Sequence, residues 1–150
     1  MGVNQPTRLA FPEATMINQI IVHFQDGRVI GGQTMDFLPA KERFHLLASA
    51  PSAGGKTVEI KVADLKGIFF VKSLEGDRNR KDDDVFMLDS ALPGRKVRVV
   101  FKDLEILQGY TQVYQPGRPG FFLIPVDKHS NNERIYVVTA ATKEITVLPA

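Results

Sequence analysis

The sequence predicts an all-β protein of two tandem small five-stranded β-barrels, and three observations predict it. The first is an internal repeat. Residues 20–47, IIVHFQDGRVIGGQTMDFLPAKERFHLL, recur as residues 97–124, VRVVFKDLEILQGYTQVYQPGRPGFFLI, at an ungapped offset of 77 residues. That register holds eight identities: Val22 with Val99, Phe24 with Phe101, Asp26 with Asp103, Gly32 with Gly109, Thr34 with Thr111, Pro39 with Pro116, Phe44 with Phe121 and Leu46 with Leu123. The second observation is short apolar runs rich in β-branched residues, several alternating with polar ones as a half-buried strand does. The third is the punctuation between them by Asp-Gly, Gly-Gly, Pro and Ser-rich turns.

Taken in order, residues 1–15 carry two prolines and read as an N-terminal arm, with Leu9 and Phe11 as anchors. Repeat 1 occupies residues 16–72. Its first strand, 20–24, ends at Gln25-Asp26-Gly27-Arg28, where Asp-Gly predicts a type I′ hairpin. The return strand, 29–37, contains Gly31-Gly32, which a strand tolerates where it bends or another backbone approaches closely. A turn at Leu38 to Arg43 leads to a third strand at 44–48, and SAPSAGGK (49–56) reads as a loop. The fourth strand, 57–62, alternates Val58, Ile60 and Val62 against Glu59 and Lys61. Ala63 to Lys66 forms one tight turn, and the apolar GIFFV at 67–71 closes the unit.

Residues 73–95 read as a linker. It has a charged first half, with Arg78, Arg80 and Lys81 next to Asp82, Asp83 and Asp84, and an apolar second half in which Val85 to Leu88 would pack across the junction. Repeat 2 occupies 96–150, with strands at 97–101, 105–114, 120–125, 135–139 and 144–148. Leu104 stands where repeat 1 has Gly27. A side chain disfavours positive φ, so a different turn is expected there.

The phrase VHFQDGRVIGG (22–32), together with the short turn before the last strand, resembles the opening of Sm-like and SH3-like small β-barrels over about fifty residues of each repeat. The resemblance implies a fold that hosts many unrelated activities. The Sm family's RNA-contacting Asp followed by Met-Asn is not matched. Asp36-Phe37-Leu38-Pro39-Ala40-Lys41 stands there in one repeat, and Val113 takes the place of Asp36 in the other. The chain as a whole, including FFVKSLEGD and SNNERIYVV, looks like an uncharacterised bacterial family of duplicated barrels, loosely associated with PilZ-type cyclic-dinucleotide signalling. The spacings of Arg78-Asn79-Arg80 and of Asp89-Ser90 to Gly94 differ from those of a PilZ site.

Composition narrows function. There are 19 basic and 17 acidic residues, a formal charge of +2, without the basic excess usual in nucleic-acid binding. Cysteine is absent, which excludes disulfides, thiol nucleophiles and cysteine metal sites. No secretion leader and no membrane-length apolar run is read, so a cytoplasmic location with no membrane partner is expected. His23, His45 and His129 lack metal-ligand spacing, and His23 and His45 read as half-buried strand residues replaced by Val100 and Phe122 in repeat 2. No nucleophile elbow or phosphate loop is present.

The expectation is therefore a non-enzymatic binding or adaptor module without cofactor or metal. It would contact a protein partner, or a second copy of itself, through barrel edges and rim loops. The second expectation is a nucleotide binder, for a cyclic dinucleotide or single-stranded RNA. The candidate ligand-binding residues are Lys41, Arg43, Arg78, Arg80, Tyr114 and Arg118, basic groups and an aromatic suited to pairing and stacking with nucleotides.

Overall fold

The computed structural model describes residues 17–49, 55–74, 94–112, 114–127 and 130–148. Among these residues ten strands follow one another: β1 (Asn18–Phe24), β2 (Val29–Thr34), β3 (Arg43–Ala48), β4 (Thr57–Lys61), β5 (Leu65–Val71), β6 (Arg95–Phe101), β7 (Ile106–Thr111), β8 (Gly120–Pro125), β9 (Asn132–Val138) and β10 (Thr142–Val147). A single 3-10 turn precedes the last strand of each half, Val62–Asp64 and Thr139–Ala141. All ladders are antiparallel and all ten strands belong to one sheet, in the order β10-β6-β7-β8-β9-β5-β1-β2-β3-β4. The expected arm at 1–15, most of the 73–95 linker with Val85 to Leu88, and His129 lie outside the described residues.

The expectation of two separately completed five-stranded units gives way to one open sheet. Each half runs in the same order, its last strand beside its first, but the sheet does not stop at the boundary. β5 of the first half pairs with β9 of the second, with Gly67 opposite Val137, Ile68 opposite Tyr136 and Phe69 opposite Ile135. Among the described residues no ladder joins β4 to β5 or β9 to β10, so β4 and β10 remain the outer edges.

Two hydrophobic cores lie on opposite sides of that central pair. Leu65, Ile68 and Phe70 of β5, with Tyr136 and Val138 of β9, join Ile20, Val22, Phe44, Leu46 and Ile60 in the first core. Phe69 and Val71 of β5, with Ile135 and Val137 of β9, join Val97, Val99, Phe101, Phe121 and Leu123 in the second. A strand buried on both faces reads as a continuous apolar run rather than an alternation, which accounts for GIFFV and IYVV. Of the outer strands, β4 keeps a one-faced alternation, and β10 has no fully buried residue.

Local chemistry sets the bends. A Cβ on Gly32 would stand 2.3 Å from the Leu47 carbonyl oxygen, and one on Gly109 2.2 Å from that of Ile124. Only glycine allows β2 and β7 to approach their neighbours so closely. Each then pairs over just two residues before turning away.

The hairpin expectations need correction. Gly27 N–H donates to the Phe24 carbonyl at 3.0 Å and Phe24 N–H to the Arg28 carbonyl at 2.9 Å. These bonds enclose a three-residue loop with Gly27 in the left-handed region, φ 96°, rather than a two-residue type I′ turn. The second half makes the same turn. Leu104 N–H donates to Phe101 and Phe101 N–H to Glu105, both at 2.8 Å, and Leu104 adopts φ 74°. The aspartate explains the shared geometry: Asp26 and Asp103 each accept the N–H two residues on, from Arg28 and Glu105, at 3.0 Å.

Lys66 ties the halves together across this turn. Its Nζ donates to Asp103 Oδ2 at 2.8 Å and to Glu105 Oε1, and lies 4.9 Å from the Phe101 ring centroid. Burial alone would lower the Lys66 pKa, but the hydrogen bonds and charges of the two carboxylates outweigh it and raise it. Asp103 is held below the usual carboxylate range, first by the Lys66 hydrogen bond.

Two outcomes are expected. Leu104 is 65 % exposed, so Leu104→Gly removes positive-φ strain without loss of packing. It is expected to raise stability by about 1 kcal/mol, read from denaturant midpoints, after the flexibility glycine adds to the unfolded chain is set against the relief. Lys66→Met is expected to destabilise by roughly 1 kcal/mol at neutral pH. The Lys66 contribution is complete below the ordinary lysine pKa and lost as pH rises through the raised one. The Asp103 contribution is present above 3.8 and lost as pH falls through its lowered value. The gap between wild type and variant is therefore widest in the neutral range and narrows in acid.

Candidate functional site

The rim turns of the two halves face one another across the central ladder. In the first half, Val62 N–H donates to the Glu42 carbonyl at 2.9 Å, fixing the turn before β3 against the 3-10 turn. In the second, Thr139 N–H donates to the Pro119 carbonyl, also at 2.9 Å and at the same 77-residue offset. Because β9 lies beside β5, these two braced corners are adjacent and enclose a cleft of about 400 Å³. Its walls come from residues 39–42 and 61–63 of one half and from residues 117–119, 136 and 138–140 of the other. Proline, alanine and valine supply half of the lining residues. Lys41, Lys61 and Arg118 supply cations, and Glu42 the one carboxylate.

Of the sequence-predicted site residues, the cleft brings together Lys41 and Arg118. The Lys41 Nζ lies 3.4 Å from the Asp36 carbonyl oxygen and 3.9 Å from Asp36 Oδ2. Arg118 donates from Nε to Gln115 Oε1 at 3.0 Å, and no carboxylate among the described residues is within ion-pair distance of it. Arg43 stands apart, at the start of β3, where its guanidinium donates at 3.1 Å to Glu59 of the edge strand β4. Tyr114 is half-buried and packs edge-on against Phe121 at 5.1 Å between centroids, on the side of the second core. Phe37 likewise points inward, 5.3 Å from Phe44 and 5.2 Å from Tyr136. Arg78 and Arg80 lie outside the described residues.

Sequence reasoning missed Lys61, Pro119, Tyr136 and Ala140. Lys61 reads simply as the solvent side of an alternating strand. The rest join it only through the β5–β9 ladder, for which the repeat itself gives no signal. Tyr136 is a buried wall, 2 % exposed, and burial raises its pKa. It also bounds a second hollow of about 350 Å³ with Phe122, Tyr110 and Arg134, whose guanidinium lies 4.4 Å from the Phe70 ring centroid.

The histidines divide. His45 is exposed rather than half-buried, because β3 turns that face outward. Its Nδ1 is 2.7 Å from Asp36 Oδ2 and its N–H donates to Asp36 Oδ1 at 2.9 Å. The buried Thr34 hydroxyl donates to the His45 carbonyl at 2.9 Å, giving this threonine a structural role. Asp36 is lowered in pKa: burial would raise it, and the His45 and Thr34 hydrogen bonds prevail. His23 is half-buried against Phe69, 4.4 Å between centroids. Its pKa is lowered first by burial and then by the Lys66 charge, with Glu105 and Asp103 opposing. Among the described residues no group of three or more histidine, aspartate and glutamate side chains is placed to hold a metal, and no helix is long and apolar enough to cross a membrane.

Fold and site together define an all-β protein with a cation-rimmed, largely apolar cleft at the meeting of its halves. The chain belongs to a family of unknown function, DUF6982, whose model matches residues 16–149. The match carries no Sm or PilZ assignment. No curated protein and no solved structure was found to match the chain.

His23 yields a pH prediction. Its folded pKa lies below its ordinary 6.5, so between the two values the unfolded chain binds more protons and stability falls as pH drops through that window. His23→Val, the residue at the equivalent position in the second half, is expected to flatten the fall in thermal midpoint between about pH 7 and 5.

Proposed function

We propose that this protein is a non-enzymatic binding module of the bacterial cytoplasm, and that the cleft between the rim turns receives an extended protein segment carrying carboxylates beside apolar side chains. The cleft carries the reading. Lys41, Lys61 and Arg118 outnumber Glu42 around an apolar lining, and the two braced turns present it ready formed. Concave apolar surface with a few convergent charges suits a partner that buries side chains and fixes its register by ion pairs.

The finer fold reading is also ours. Each half follows the Sm-like or SH3-like pattern, supported by the common strand order and the 77-residue offset of the elements, and the two derive from one duplicated barrel. A nucleotide is the second reading, favoured by the same three cations. It is weakened because Phe37, Tyr114 and Tyr136 pack inward and leave no open ring in the cleft for a base to stack on.

A thermal-shift series with acidic–apolar decapeptides, cyclic dinucleotides and short RNA at two salt concentrations separates the readings. A peptide is expected to raise the midpoint, and Arg118→Ala or Lys61→Ala to weaken its binding about tenfold while leaving the unliganded midpoint within a degree or two. A shift with a nucleotide alone, lost in Arg118→Ala, replaces the first reading with the second. Peptide binding indifferent to both substitutions removes the cleft from the proposal.

A further inference from the structure

The ladder that joins the halves has two counterparts that are unpaired edges among the described residues. At the 77-residue offset, β10 is equivalent to β5 and β4 to β9. A second copy could in principle add its β4 to β10 in the register by which β9 meets β5, and repetition would extend the sheet head to tail without limit. We infer that the chain uses this interface once and blocks it at both outer edges with Glu59, Lys61, Lys143 and Glu144.

The register makes the block concrete. The internal ladder sets Gly67 against Val137, Ile68 against Tyr136 and Phe69 against Ile135. Shifted by 77, Glu144 meets Ile60, Ile145 meets Glu59, Thr146 meets Val58, and one residue further Lys143 meets Lys61. Within the chain, Tyr136 and Val138 of β9 enter the core of the other half. Glu59 and Lys61 hold those positions on β4 and would be carried into a neighbour's core. On the other strand Phe69 enters the opposing core, and Gly67 packs closely, a Cβ there standing 3.1 Å from the Tyr136 carbonyl oxygen, a tight contact. Glu144 and Thr146 hold those two positions on β10.

Copy-to-copy addition therefore buries carboxylates against apolar neighbours and sets two ammonium groups face to face, both unfavourable. Glu59 is in addition held outward by Arg43 across the β3–β4 pair. Charges on exposed edges are a known defence against strand addition. Here Glu59, Lys61 and Glu144 fall on the positions where the internal copy of the interface has Tyr136, Val138 and Gly67, while Lys143 repeats the charge of Lys66.

The test restores those positions one edge at a time. One variant carries Glu59→Tyr with Lys61→Val, the other Glu144→Gly with Thr146→Phe, each checked for a native-like circular dichroism spectrum. The unmodified chain and each variant alone are expected to elute with light-scattering masses near 16.7 kDa, and the equimolar mixture at twice that. Two folded variants that fail to combine overturn the inference. A second measurement leaves Glu59, Lys61, Lys143 and Glu144 in place. The chain has no native cysteine, so Val58→Cys with Thr146→Cys reports β4–β10 contact between copies directly. Without the edge substitutions, oxidation is expected to give monomer, and a ladder of disulfide-linked multimers overturns the inference.

Discussion

The β5–β9 ladder is the constraint on which the rest of this molecule depends. Both strands are buried on both faces, so each donates side chains to two cores at once: Ile68, Phe70 and Tyr136 to one, Phe69, Ile135 and Val137 to the other. Fully burying a large apolar side chain is worth about 1.5–3 kcal/mol. Neither half keeps that burial alone. Without β9 the first core would open at Ile68 and Phe70, and without β5 the second would open at Ile135 and Val137. The same ladder brings the two rim corners together and so creates the cleft. Stability and the candidate site rest on one pairing.

Smaller devices serve that pairing. Gly32 and Gly109 let the second strand of each half approach its neighbour closely and then turn away. The Asp26 and Asp103 turns hold the first hairpins, and the second turn accepts a strained Leu104 to do so. The reason is visible in its neighbours. Asp103 and Glu105 flank Leu104 and both grip Lys66 from the other half, so the turn must keep its geometry whatever residue occupies its tip. Local strain is tolerated where a contact across the junction gains from it.

Much of the site was legible in pieces. Lys41 and Arg118 are identifiable as basic residues in equivalent proline-containing turns, and the structure places both at the cleft. Arg43 has the same sequence credentials yet does not line the cleft: it shares the outward face of its cross-strand partner Lys61, and its guanidinium is engaged by Glu59. Tyr114 looks like a rim aromatic but is half-buried and packs edge-on against Phe121 at the side of the second core. Lys61 looks like surface and becomes a cleft wall. Adjacent residues on a strand face opposite ways, so proximity in sequence carried little information about which would converge.

By itself the sequence determined the ten strands, the places where they turn and the 77-residue correspondence, because those follow from side-chain alternation, glycine and proline, all local properties. It also held the difference between inner and outer strands: GIFFV and IYVV are apolar on both faces, whereas TVEIK and TKEITV are apolar on one. Only the tertiary structure decided that the two apolar strands pair with each other across the repeat boundary, making one sheet, two cores and a cleft between them. That decision belongs to packing at long range. A strand's composition says how many of its faces will be buried, and only the assembled chain says against what.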